Sequence, residues 1–209
     1  MKKILIADDH SAIRNGVKLI LSNEFADVEF GEAVNASEVF KHVNNKKWDV
    51  IILDMDMPGR NGLEVIKQLK DDKANIPILM FSMHPEGQIA VRALKAGASG
   101  YLSKDTADTE LVKAIQLIFS GRKYITPLLA ELLADQLENP QDKAPHELLS
   151  DREYQTMLLI ATGKTVSQIA EELSLSVATI STYRARILEK TGMKTSAELT
   201  SYTIRNNLV

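Results

Sequence analysis

The sequence predicts an α/β domain with a five-stranded, parallel, doubly wound sheet, followed by a small all-α unit. Three observations predict it. Up to about residue 120, short Val/Ile/Leu-rich runs alternate with amphipathic stretches, the pattern of βαβ crossovers covering both faces of a sheet. Several of the apolar runs stop at a charged or hydroxyl side chain, as strands do at the open edge of such a sheet. Beyond Tyr124 no strand pattern returns, and helical periodicity carries the chain to its end.

Strands are expected at 3–7, 28–33, 48–53, 76–81 and 98–102, with helices at about 11–22, 36–44, 62–71, 86–96 and 106–119. Pro58-Gly59 and Asn61-Gly62 mark a loop, Gly97 follows one helix and Gly121 closes another. Thr126-Pro127 reads as a helix start with an apolar stripe of Leu128, Leu129, Leu132, Leu133 and Leu137. The stretch from Glu138 to Glu147 is polar, holds two prolines and lacks periodicity, so it reads as a linker. Four helices follow at 151–162, 166–173, 177–190 and 196–207. Ser150 with Glu153 and Thr165 with Gln168 have capping-box spacing, and Ser176 suits the N-cap of the third helix.

Composition narrows the chemistry. The absence of cysteine excludes disulfides, thiolate zinc sites and cysteine nucleophiles. No apolar run approaches the roughly 18 residues needed to span a bilayer, and a cytoplasmic protein is expected. The net charge of −3 gives no gross sign of a nucleic-acid partner, but it is unevenly shared. Residues 148–209 hold seven Lys/Arg against six Asp/Glu, a net of +1, which leaves −4 on the remainder.

Asp54 ends the buried run 48–53, Asp8-Asp9 ends the first strand, Ser82 follows the fourth and Lys104 the fifth. Carboxylates that close repel unless a cation joins them. The cluster therefore implies a divalent metal and phosphate chemistry, with Asp54 as nucleophile toward a phosphoryl group and Mg²⁺ as the hard, oxygen-seeking ion. Each piece alone has a plainer reading: an acidic helix cap, a solvated lysine, a packed tyrosine. Four strand ends carrying the required groups together favour the chemical one. The four histidines (His10, His42, His84, His146) show no ligand spacing and read as surface or packing residues.

This constellation, with Met57-Pro58 and Gly62 after Asp54 and Tyr101 three residues before Lys104, closely resembles the receiver domain of two-component response regulators, a flavodoxin-like fold. The resemblance implies that Asp54 takes phosphate from a sensor histidine kinase. Asp8, Asp9, Asp54 and the backbone carbonyl of Asp56 would hold Mg²⁺, Lys104 would pair with the phosphoryl group, and Ser82 and Tyr101 would act as the switch. Met83 departs from the small residue usual after the switch hydroxyl, and its bulk is expected to narrow access to Asp54.

The third helix of the tail is basic and polar along one side and can enter a DNA major groove. Ile180, Tyr183 and Ile187 give it an inward stripe. With Leu149-Ser150-Asp151-Arg152-Glu153, Gly163, Ile169-Ala170, Ser176 and Thr179-Ile180, the tail resembles the LuxR-type helix-turn-helix domain of the NarL/FixJ response regulators. By that resemblance Ser181, Thr182 and Ala185 read bases, while Thr179, Arg184, Arg186 and Lys190 complete the DNA-binding face. The small residues there imply readout by methyl contacts and DNA shape.

The whole chain is expected to comprise a receiver domain (1–122), a linker with one helix (123–147) and a helix-turn-helix domain (148–209). Its partners would be a sensor kinase, double-stranded promoter DNA and a second copy of itself, paired through the final helix (Leu199, Tyr202, Ile204) or a receiver face. A phosphatase reading, in which Asp54 and Asp56 form a haloacid-dehalogenase-type aspartate pair, requires that pair on the first strand. Here it lies on the third, and the chain is expected not to be an enzyme.

Overall fold

The computed structural model describes residues 1–138, 144–206 and 208–209, with side chains from 136 to 138 left aside. Two compact units emerge, Met1–Leu132 and Leu133–Val209.

In the first unit, β1 (Lys2–Ala7), β2 (Val28–Ala33), β3 (Val50–Asp54), β4 (Ile78–Ser82) and β5 (Gly100–Ser103) pair in parallel in the order β2-β1-β3-β4-β5. They alternate with α1 (Ser11–Glu24), α2 (Ala36–Asn45), α3 (Gly62–Asp71), α4 (Gln88–Ala96) and α5 (Ala107–Phe119). Every residue of β3 and β4 is buried, because helices cover both faces and leave no solvated side to alternate with. Ile4, Ile6, Ile52, Leu79, Phe81 and Leu102 form one core layer with Val17, Leu21, Leu111 and Ile115 of α1 and α5. The opposite side chains of β1 and β3, such as Leu5, Ile51 and Leu53, are equally buried.

β3, β4 and β5 start two residues later than the apolar pattern suggested. At these entries only single ladder bonds form, such as Asp49 N to Lys3 O at 2.9 Å and Ser99 N to Ile78 O at 2.7 Å. The register aligns the far ends: Ala7 faces Leu53, Asp54 faces Phe81, and Ser82 faces Ser103. All the chemically active groups of the sheet therefore leave it at one edge.

α3 is fixed by Asn61, whose side chain accepts from Glu64 N while Asn61 N donates to the Glu64 carboxylate. α6 (Pro127–Glu138) starts where Thr126-Pro127 placed it. Leu129 of its stripe is fully buried, Leu128 is half exposed, and Leu137 lies outside the described side chains.

The second unit holds α7 (Asp151–Ala161), α8 (Val166–Glu172), α9 (Val177–Thr191) and α10 (Ser196–Arg205). Both expected capping boxes form, and the Ser176 side chain accepts from Thr179 N. Of the expected linker, residues 139–143 lie outside the described residues, whereas Pro145–Leu148 forms a 3-10 turn. His146 in that turn is buried, with Nδ1 2.7 Å from the Tyr202 hydroxyl. No helix among the described residues is long and apolar enough to cross a membrane.

Candidate functional site

Asp8 and Asp54 are 2% and 3% exposed, and both reach the ammonium of Lys104. Lys104 Nζ lies 2.6 Å from Asp8 Oδ2 and 2.9 Å from Asp54 Oδ1. Each arrives from the end of a different strand, and the parallel register makes those ends coincide. Burial pushes the Asp54 carboxyl up to about 6; Lys104 opposes the shift, while Asp8 and Asp56 add to it. Burial also works against the Lys104 charge, but Asp54 and Asp8 outweigh it and hold the ammonium above the ordinary lysine pKa. Two buried carboxylates share one cation, so the pocket keeps an excess of negative charge.

Asp8 is further held by His10 N, which donates to Oδ1 at 2.8 Å, and by Arg14, which donates to its carbonyl at 2.8 Å. Asp9 stands beside it, and His10 Nδ1 lies 2.8 Å from Asp9 Oδ1 and 3.4 Å from Asp8 Oδ1. Asp8, Asp9 and His10 thus offer three ligand atoms within 4.8 Å of one another. The oxygens of Asp8, Asp9 and Asp54 make a hard donor set suited to a divalent cation.

Ser82, fully buried at the end of β4, accepts from His84 N at 3.1 Å. Tyr101 is also buried, and its hydroxyl donates to the His84 carbonyl at 2.7 Å. The His84 ring in turn lies 3.1 Å from Asp56 Oδ2. The expected residues of the pocket therefore gather, together with two histidines that had been read only as surface or packing groups. Their signal was position alone: His10 directly after Asp8-Asp9, and His84 two residues after Ser82. Met83 is 60% exposed, with most of its bulk in solvent, so the expected narrowing of access by that side chain finds no support.

In the second unit α8, a turn at 173–176 and α9 form a helix-turn-helix. Ile180 and Ile187 are fully buried and Tyr183 is half-buried, which fixes the inward stripe. Ser181, Thr182, Ala185 and Arg186 are exposed on the other side. Thr179 and Arg184 are half-buried, and Arg184 Nε donates to Ser196 Oγ at 2.9 Å. Lys190 is exposed but its ammonium sits 2.6 Å from the buried Glu153 carboxylate. One expectation for the last helix needs correcting. Leu199 is fully buried in the core of its own unit, and Tyr202 is tied to His146, so only Ile204 of that trio stands largely exposed.

Residues 4–116 match the family model of the response regulator receiver domain, and residues 147–203 match that of the bacterial regulatory proteins of the luxR family. The chain is 36% identical to the response regulator UvrY of Escherichia coli (strain K12) over 209 residues, covering 100% of this chain and 96% of that protein. It is 35% identical to the response regulator GacA of Pseudomonas syringae pv. syringae over 210 residues, covering 100% and 98%. Among solved structures, RcsB from Salmonella enterica serovar Typhimurium, bound to promoter rprA in the presence of the phosphomimetic BeF3−, matches with a TM-score of 0.66. That pair shares 26% identity over 97% of this chain and 98% of the other. A receiver that ends its parallel strands on Asp8, Asp54, Ser82 and Lys104, joined to a LuxR-type helix-turn-helix, places this chain in the NarL/FixJ family of two-component response regulators.

Proposed function

We propose that Asp54 accepts a phosphoryl group from the phosphohistidine of a sensor kinase and so controls the binding of α9 to promoter DNA. The observation that carries this is the shared ammonium: Asp54 is buried at a strand end and bridged to Asp8 through Lys104. A carboxylate oxygen of Asp54 attacks phosphorus, the P–N bond to the histidine breaks, and the imidazole keeps its electron pair and takes up a proton. Lys104 moves from neutralising carboxylates to pairing with phosphoryl oxygens. Mg²⁺, held by Asp8, Asp9, Asp54 and the Asp56 carbonyl, would supply the remaining positive charge. The transfer ends on the chain itself, so on this reading the protein is a regulator and not an enzyme acting on a separate substrate.

Ser82 and Tyr101 serve as the switch pair, and phosphorylation shifts an existing equilibrium between receiver conformers. The exposed row Ser181, Thr182, Ala185 and Arg186 supports major-groove docking of α9, with Thr179 and Arg184 at its flank. Two copies on two half-sites form the active species. A sensor kinase and a promoter as partners support a cytoplasmic location. The receiver is divided from the rest near residue 122 and the DNA-binding domain begins near 148.

The test is labelling with acetyl phosphate and Mg²⁺, read by mass as the gain of one phosphoryl group. Wild type labels, and Asp54→Asn does not. Retained labelling on the variant removes Asp54 from the role.

A further inference from the structure

Arg14 stands near the start of α1, and its guanidinium joins two places in the sheet. Nη1 donates to the Asp8 carbonyl at 2.8 Å, and Nε donates to Glu32 Oε2 at 2.8 Å. Glu32 is the next-to-last residue of β2, and its other oxygen accepts from Lys18 Nζ at 2.6 Å, one turn further along α1. Lys18 and Arg14 hold the Glu32 carboxyl below its ordinary range, so it stays charged at neutral pH. The Glu32 end reaches solvent, but the Arg14 side chain is only 12% exposed.

The carbonyl that Arg14 grips belongs to the peptide joining Asp8 to Asp9. That unit is planar, so fixing its oxygen fixes the direction in which both residues leave it. Sheet pairing of β1 ends at Ala7 with both of its neighbours. One more bond follows, from Asp8 N to Ala33 O at 3.0 Å. Arg14 thus takes over where the ladder stops, at the point where the two acids stand. The Asp8 carboxylate in turn accepts from His10 N at 2.8 Å, so its orientation follows that of the backbone around it.

We propose that Arg14, oriented by Glu32, is a positioning residue for the cation site, setting the Asp8–Asp9 peptide so that both carboxylates reach one Mg²⁺. This rests on the proposed function, which assigns Mg²⁺ to these acids. Arg14 acts through the backbone and touches neither the ion nor a phosphoryl group. Losing a partner that orients metal ligands costs roughly tenfold or more in metal affinity. The sign is diagnostic. Deleting a positive charge beside a cation site by itself tightens cation binding, whereas loss of positioning weakens it.

Mg²⁺ titration calorimetry on the full chain, beside acetyl-phosphate labelling at rising Mg²⁺, tests this. Arg14→Met keeps an apolar stem and loses both bonds. It binds Mg²⁺ roughly tenfold more weakly than wild type, and saturating Mg²⁺ restores its labelling rate. Lys18→Met breaks the other bond to Glu32 and leaves Mg²⁺ affinity within about twofold of wild type. Arg14→Lys keeps the charge but not the fork, and binds Mg²⁺ roughly threefold more weakly. That variant carries the test should Arg14→Met fail to fold, since its charge is unchanged. Unchanged or tighter Mg²⁺ binding in Arg14→Met, or in Arg14→Lys where it stands in, overturns the role whatever the loss of thermal stability. A labelling rate that stays low at saturating Mg²⁺ puts Arg14 in the transfer itself and overturns it too. If wild type binds no Mg²⁺ or Asp54 takes no label, the proposed function has failed, and this role with it.

Discussion

Lys104 Nζ meets Asp8 Oδ2 at 2.6 Å across 96 residues of sequence, with both side chains almost fully buried. Breaking a buried ion pair from one side costs more than the pair contributes, because the remaining charge is left without compensation. Lys104→Met should therefore destabilise the metal-free receiver by about 3 kcal/mol. On the proposed reading Mg²⁺ competes with the ammonium for the same oxygens, so the variant should bind Mg²⁺ more tightly than wild type and recover most of that stability. Urea unfolding in EDTA and in Mg²⁺ checks this; an equal loss under both conditions would contradict a shared site.

The raised pKa of Asp54 gives a pH prediction with a definite sign. The folded state holds a proton up to about 6, whereas the unfolded chain releases it near 3.8. Between these values the native state binds more protons, so stability from this group is full below the lower pH and lost as pH rises through the upper. The ionised carboxylate then costs the metal-free protein roughly 3 kcal/mol near neutrality. Asp54→Asn should raise metal-free stability at pH 7.5, with the advantage shrinking toward pH 4. A urea midpoint series across that range decides it, and a gain that is constant with pH would place its origin elsewhere.

Gly62 sets how closely α3 approaches Asp54. Its amide donates to Met55 O at 2.9 Å, and a Cβ at this position would lie 2.6 Å from the Asp54 carbonyl oxygen. That neighbour is backbone and cannot swing aside. Gly62→Ala should cost about 1–3 kcal/mol and slow acetyl-phosphate labelling by displacing the end of β3. Denaturation and labelling rate measure the two effects; a stable variant with normal labelling would show that the loop yields freely.

These positions also show what the amino-acid order makes legible. Asp8, Asp54, Ser82 and Lys104 stand at the ends of apolar runs, and a parallel sheet brings such ends together, so the pocket could be read directly. The capping boxes at Ser150 and Thr165 were equally readable, because their contacts span three residues. Contacts set by tertiary packing were not. Glu153 and Lys190 are 37 residues apart, and nothing local marks them as partners. The placement of Leu199 in the core depends on how α10 lies on its neighbours, which an amphipathic pattern does not specify. Tyr124 looked like the start of a linker, and only the three-dimensional edge of β5 makes it a bridge to Gly100.

The turn between α8 and α9 carries a strained residue. Ser174 has φ 53°, in the left-handed region where a side chain costs about 1–2 kcal/mol. Glycine removes that strain but gives back part of the gain through greater freedom in the unfolded chain. Ser174→Gly should stabilise the helix-turn-helix unit by about 0.5 kcal/mol with DNA affinity unchanged. Thermal unfolding alongside a binding isotherm tests it, and a loss of stability would mean that the Ser174 side chain does more than tolerate the turn.

Two basic residues on α9 look alike in sequence but differ in what they hold. Burial alone would raise the Glu153 pKa, yet Lys190 and the Ser150 contacts outweigh it and keep the carboxyl below its ordinary value. Glu153 is also the capping-box partner of Ser150, so its charge anchors the start of α7. Lys190→Ala should then lower the stability of the helical unit by about 1–2 kcal/mol. Arg186 is exposed with the row proposed to face DNA, and Arg186→Ala should leave stability within about 0.5 kcal/mol. Its effect should fall on DNA instead: weaker operator and nonspecific binding, with a salt slope reduced by about one. Denaturation curves and binding across a salt series separate the two roles. A normal salt slope in Arg186→Ala would turn the exposed row of α9 away from the phosphates.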